Sequence, residues 1–218
     1  MANTTINPTR MELSRLKKRL RTATRGHKLL KDKRDEMMKQ FLVIVRRSRA
    51  LRKQVEQGLE QSNSAFVLAA AVMRPEMLEQ ALLYPKQSVE LEVGQRNMMG
   101  VYVPVYHFRT RNDDPADIFP YGFAQTSGQL DESLEALNTV FKDMLELAQA
   151  EKALELLAQE IEKTRRRVNA LEHVLIPGLQ KNIRYISMKL EENERGSITR
   201  LMKVKDMILQ QAHDFRQA

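Results

Sequence analysis

From Leu13 onward the chain returns to its seam in alternating steps of three and four. The positions are Leu13, Leu16, Leu20, Ala23, His27, Leu30, Arg34, Met37, Phe41, Ile44, Ser48, Leu51 and Val55, ten of them apolar and none proline. A 3.5-residue spacing held this long keeps one narrow stripe turned toward a partner helix, which predicts a coiled-coil helix. Thr9-Arg-Met-Glu12 has the hydroxyl-then-glutamate spacing of a capping box and marks its start. The pattern fades at Met73-Arg74-Pro75. A helix over 9–73 rises about 1.5 Å per residue, roughly 95 Å in all, far beyond an ordinary globular helix.

After Pro75 a short helix is expected over PEMLEQALL, with proline in its first turn. The period then changes from 3.5 to 2. Val89, Leu91 and Val93 alternate with Glu90 and Glu92, and Val101, Val103 and Val105 alternate with Tyr102 and Tyr106. GQRNMMG between them is glycine-bounded, so the segment of about 88–108 predicts a β-hairpin with a longer loop. Pro104 restricts the second strand to an edge. Residues 109–128 are rich in turn formers, carry Phe119, Tyr121 and Phe123, and are expected to form an ordered loop.

A second stripe begins near Ser127 to Asp131 and continues almost to the end of the chain. It takes in Leu134, Leu137, Phe141, Met144, Leu147, Leu154, Leu157, Ile161, Thr164, Val168, Leu171, Leu175, Leu179, Ile183, Ile186, Leu190, Leu201, Val204 and Ile208. Every step from Leu171 to Ile183 is four, a stutter that relaxes a left-handed supercoil. Pro177-Gly178 falls inside it and is expected to kink the helix, because proline removes a backbone bond and crowds the carbonyl four residues back. Two long stripes that match each other predict an α-dominated fold. Its frame is a left-handed antiparallel coiled coil of the N- and C-terminal helices, 9–73 and 129–215. The short helix, hairpin and loop fill 75–128.

Composition agrees with an extended helical protein: 218 residues, no tryptophan, 6% aromatic and 29% charged. Without cysteine there is no disulfide or thiolate metal site. No signal peptide and no apolar run long enough for a membrane span is visible, so a cytoplasmic protein is expected. Charge is uneven. Residues 1–60 carry 17 basic and 6 acidic side chains, whereas 61–150 carry 6 and 12. His27, His107, His173 and His213 are too scattered for a metal site, and His27 falls on the seam, where a polar residue sets register. TRGHK at 24–28 lacks the upstream glycine and the strand of a phosphate loop. Gly26 therefore reads as a close approach to a partner helix or a neighbouring subunit, since glycine inside a helix costs about 1 kcal/mol relative to alanine. No arrangement of side chains suggests an active site or a cofactor.

Residues 14–34 hold ten lysines and arginines against one acid. A basic helix that reads DNA sets its charge on one face and its dimer seam elsewhere. Here the seam runs through the basic stretch, the charge wraps the helix, and no aromatics interleave for base stacking.

At this point the residues resemble a known family. NPTRMELSRLKKRLRTATRGHKLLKDKRDEMM (7–38) and EIEKTRRRVNALEHVLIPGLQKNIRYISMKLEENERGSITRLMKVK (160–205) are similar to the central-stalk D subunit of archaeal and vacuolar-type rotary ATPases. The resemblance covers both long helices and matches the middle only by type. It implies a rotor shaft whose paired terminal helices enter a hexameric catalytic head of alternating A and B subunits. A small F subunit binds beside the shaft, and the base docks in a funnel-shaped C/d subunit on the membrane rotor ring. ATP hydrolysis in the head turns the shaft and drives H⁺ or Na⁺ across the membrane, or the reverse. The chain itself is then not an enzyme, binds no nucleic acid and does not insert into the membrane. The seam residues expected from the spacing are Leu13, Leu16, Leu20, His27, Leu30, Met37, Phe41, Ile44, Ile161, Val168, Leu171, Leu175, Ile183, Ile186 and Leu190. Head contacts are expected at Arg15, Lys18, Arg19, Arg25, Lys203 and Lys205. Exposed charge contacts are weak, about 0–1 kcal/mol each, so a turning shaft can exchange them. A stand-alone coiled-coil adaptor and a basic nucleic-acid binder remain the alternatives.

Overall fold

The computed structural model describes residues 7–111, 118–122 and 126–217, with 210–217 described by their backbone alone. Its elements are α1 (Arg10–Val72), α2 (Pro75–Leu82), β1 (Val89–Met98), β2 (Val101–Thr110), α3 (Gly128–Ala170), a single π turn (Leu171–Leu175) and α4 (Ile176–Gln217). Ala170 and Ile176 both keep helical backbone angles, so α3, the π turn and α4 follow one another without a break. The fold is thus two long helices joined by a short helix and an antiparallel hairpin. The start of α1 is held as its sequence suggests, the Thr9 hydroxyl accepting the Glu12 N–H at 3.2 Å. Phe123 and the side chain of His213 lie outside the described residues.

All thirteen positions of the first stripe are buried or half-buried. The same steps continue past Val55 through Gly58, Ser62, Ala65 and Ala69, which the sequence pattern hides because they are small. On α3 the buried line is Leu130, Ser133, Val140, Ala150, Ala153, Leu157, Ile161, Thr164 and Val168. Leu137, Phe141 and Met144, expected on the seam, are instead each more than a third exposed. Bulk misled the pattern there: the inward residues are small, and the large ones turn aside, Leu137 and Phe141 to line an apolar groove.

Contacts divide the chain into two compact units, one made of residues up to Asp32 and from Thr164 onward, the other of Lys33–Lys163. In the first, Leu16, Ala23, Leu179 and Ile186 are buried together, with Leu13, Leu20, Ile176, Ile183 and Leu190 packed against them. The helices run antiparallel: His27 meets Glu172, and Arg10, near the start of α1, meets Glu194. Each fully buried aliphatic side chain such as Ile186 contributes about 1.5–3 kcal/mol relative to leaving it in water.

The π turn explains the sequence stutter. The Ile176 N–H reaches back five residues to the Leu171 carbonyl, which places one extra residue in the turn before Pro177. Pro177 has no N–H to give, and a widened turn relieves its ring from the carbonyl four residues back. The seam therefore steps by five from Leu171 to Ile176 and resumes at Leu179. Leu175, expected on the seam, is 36% exposed, and Ile176 packs in its place.

The second unit is also an antiparallel pair. Ion pairs flank its helices, Arg47 with Glu146 at 2.9 Å and Arg52 with Glu151. Further along, Ser62 and Ser133 are buried opposite each other, and each hydroxyl donates to the other's backbone carbonyl at 3.0 Å. Beyond them Ala69, Ala81 and Leu130 form a small core with Met73, Leu78 and Tyr121. The Tyr121 hydroxyl donates to Asp131 at 2.7 Å. Burial, and then that bond, raises the phenol pKa well above its ordinary value.

Candidate functional site

Among the described residues no group of three or more histidine or acidic side chains lies together as metal ligands would. No helix among them is long and apolar enough to cross a membrane. What the chain offers is surface, and three parts of it stand out.

The first is the basic coat of α1. Arg15, Lys18, Arg19 and Arg25 are all exposed, and Arg15 is paired only loosely with Glu12 at 3.7 Å. Leu13, Leu16, Leu20, His27 and Leu30 turn inward on the same helix, while the exposed basic residues wrap the rest of it together with Leu29, which is 69% exposed. His27 is largely shielded and sits 3.3 Å from Glu172, at the π turn. Gly26, expected as a close approach to a partner helix or a neighbouring subunit, makes none to a helix of this chain: a Cβ built there meets nothing within 4 Å. The close approach is at Gly58, where a Cβ would lie 2.1 Å from Val140 Cγ2. The signal for it was the continuing three-four step, which lands on Gly58 and not on Gly26.

The second is the end of α4. Among the described residues, packing against α1 stops near Leu190, and Glu194 makes the last ion pair with it. From Ser197 to Leu209 every residue is exposed, including Ile198, Leu201, Met202, Val204 and Ile208 together with Lys203 and Lys205. Leu201, Val204 and Ile208 were expected on the seam; Leu201 is 68% exposed, because α1 begins at Arg10 and offers no partner so far along.

The third is the hairpin and its surroundings. Its turn is tighter than the glycine-bounded loop expected from GQRNMMG. β1 runs on through Gly94 to Met98, and only Met99 and Gly100 turn, at φ 54° and 89°. Two successive positive φ values make a type I′ turn, whose twist suits a hairpin. Asn97 Oδ1 accepts the Gly100 N–H at 2.8 Å and steadies it. Residues opposite each other share a face of the ladder. Val89, Leu91 and Val93 lie with Thr110, Phe108 and Tyr106, whereas Val101, Val103 and Val105 lie with Met98, Arg96 and Gly94 on the other side. The six valine and leucine positions thus do not form one face; Val103 is buried and Val93 is 61% exposed. Beside the hairpin, Leu82, Val89, Ile118, Leu134, Leu137 and Phe141 line an apolar groove of about 280 Å³. Pro177 and Gly178 are both exposed on α4, and a Cβ at Gly178 would meet nothing within 4 Å.

A frame of two long helices with a hairpin between them, and with its distinctive chemistry on outward faces, defines a protein built around contacts with other chains. Comparison with known proteins gives its kin. The family model for the D subunit of ATP synthase matches residues 12–206. The V-type ATP synthase D subunit of Acetivibrio thermocellus is 62% identical over 217 residues, covering 100% of this chain and 98% of the relative. Those of Clostridioides difficile and Clostridium botulinum strain Langeland are 59% and 56% identical, with at least 93% of each chain covered. The chain belongs to the family of ATP synthase D subunits.

Proposed function

We propose that this chain is the central-stalk rotor shaft of a V/A-type rotary ATPase. It passes rotation between the ATP-hydrolysing or ATP-synthesising A/B head and a membrane rotor ring that carries H⁺ or Na⁺. In this reading it is non-catalytic, works in the cytoplasm at the periphery of the membrane, and touches the F subunit, the head and the funnel-shaped C/d subunit.

The observation that carries this reading is the unaccompanied end of α4. A helix that leaves its partner and shows Leu201, Met202 and Ile208 beside Lys203 and Lys205 needs a sleeve of other chains around it. The basic coat at Arg15, Lys18, Arg19 and Arg25 supplies weak contacts that break and re-form as the shaft turns. The family membership and the matched length of the relatives support the same assignment. The test is reconstitution of the head with and without this chain and its F-subunit partner. ATP turnover is expected to change on adding the pair, and a chain ending at Arg195 is expected to lose that effect while still folding. A head indifferent to the full-length chain overturns the proposal.

A further inference from the structure

The two edges of the hairpin are treated differently. The Tyr106 N–H points away from β1 and donates to Gln149 Oε1 at 2.8 Å, so the even residues of β2 from Tyr102 to Phe108 present their backbone outward. Among these Pro104 has no N–H, and α3 supplies the partner for Tyr106, so the outer edge of β2 is blocked twice. On β1 the same ladder turns Val89, Leu91, Val93, Gln95 and Asn97 outward, and the Arg111 N–H to Ser88 carbonyl bond at 2.9 Å agrees with that parity. Among the described residues no third strand pairs with it. The register is continuous from Val89 to Met98 with no bulge, and the strand contains no proline and no lysine. Natural proteins protect long edges by such devices and by charge, and here only charge, at Glu90, Glu92 and Arg96, is present.

We propose that the outer edge of β1 is a docking site for an extended segment of a partner protein, added as a third strand, with basic and apolar residues alternating along it. Leu91 and Val93, 45% and 61% exposed, would meet its apolar side chains on one face. Glu90 and Glu92 are exposed on the other face; within the hairpin they oppose Arg109 and His107 across β2, and among the described residues no strand pairs with them on the open side. An incoming strand with lysine or arginine at those positions completes the charge pairing. A second copy of β1 added in parallel register, or antiparallel about Leu91, sets acid against acid and is disfavoured on the same ground. This surface is independent of the rotor assignment and stands if that assignment fails.

The test uses the full chain labelled with nitrogen-15 and two ten-residue peptides, one alternating valine with lysine and one alternating valine with glutamate. The lysine peptide is expected to bind, to slow amide exchange at Leu91, Val93 and Gln95, and to leave the inward amides of Glu90 and Glu92 as they were. Leu91→Pro, which removes one outward N–H and costs no hairpin bond, is expected to weaken binding by at least about tenfold with helix content unchanged. Glu90→Gln and Glu92→Gln are each expected to weaken it by about two- to fivefold, the range of an exposed ion pair. Equal binding of the two peptides, protection elsewhere than β1, unaltered affinity of the Leu91→Pro chain, self-association through β1, or no binding of the lysine peptide at millimolar concentration overturns the proposal.

Discussion

Two glycines inside the same helix should respond to alanine in opposite directions. At Gly26 a Cβ meets nothing within 4 Å, so Gly26→Ala gains only the helix preference of alanine over glycine, about 1 kcal/mol. At Gly58 the added methyl would sit 2.1 Å from Val140 Cγ2, where carbon atoms normally keep about 3.5–4.0 Å apart. Val140 is buried and β-branched, so it cannot swing away as a long side chain would. Overpacking of this kind costs about 1–3 kcal/mol. Set against the same helix gain, Gly58→Ala should leave the chain destabilised by about 0–2 kcal/mol. For a chain of this size Gly26→Ala should melt about 2–4 °C above the parent, and Gly58→Ala at or below it. Circular dichroism at 222 nm during thermal and guanidinium unfolding reads both. In the double variant Gly58→Ala, Val140→Ala the clash is gone, so its loss should be smaller than the two single losses added together. If Gly58→Ala raised stability as much as Gly26→Ala, the helices would not approach closely at Gly58, and the reasoning on the small-residue part of the seam would fail.

Three further outcomes follow from the packing and the titration. Ile176→Ala should cost about 2–4 kcal/mol and Leu175→Ala under about 1, since the π turn puts Ile176 and not Leu175 against the core; chemical denaturation of the two variants decides it. Pro177→Ala restores a backbone donor and should let the π turn close to an α turn. That would be visible as raised helicity and, in the assembled complex, as altered coupling of ATP turnover to ion movement; unchanged coupling would deny the turn a mechanical part. The raised pKa of Tyr121 means that folding holds the phenol neutral. Its contribution is fully present below the ordinary phenol value of about 10 and is lost as pH rises above it toward the folded value. Tyr121→Phe should flatten that decline, as measured by unfolding at pH 9 to 11.

Much of the fold could be read from the residues because a coiled-coil seam is a repeated local signal. Leu13 to Val55 obey one rule for the whole length of the stripe. The misreadings have physical causes. From Gly58 to Ala69 and from Ser133 to Val140 the helices pack on small residues, so a search for bulk drifted to Leu137, Phe141 and Met144. At Leu171 to Ile183 four-residue steps were visible, but a π turn and a stutter leave nearly the same trace. Only the bond from Ile176 to Leu171 separates them. The turn at Met99-Gly100 was hidden because methionine at positive φ is rare, so the glycine pair at 94 and 100 drew the loop too wide. The surfaces were legible only in part. Lysines and arginines declare themselves, whereas the open edge of β1 and the unaccompanied end of α4 depend on what else the fold covers.

The claim that matters most is that this chain turns inside its head. It contains no cysteine, so Met202→Cys on the exposed end of α4 is a unique handle for a disulfide to a cysteine placed on the inner wall of the head. ATP turnover of the assembled complex is measured before oxidation, after it, and after reduction. A rotating shaft predicts full turnover, then arrest, then recovery. Turnover that continues at the unlinked rate while the disulfide is intact would contradict it.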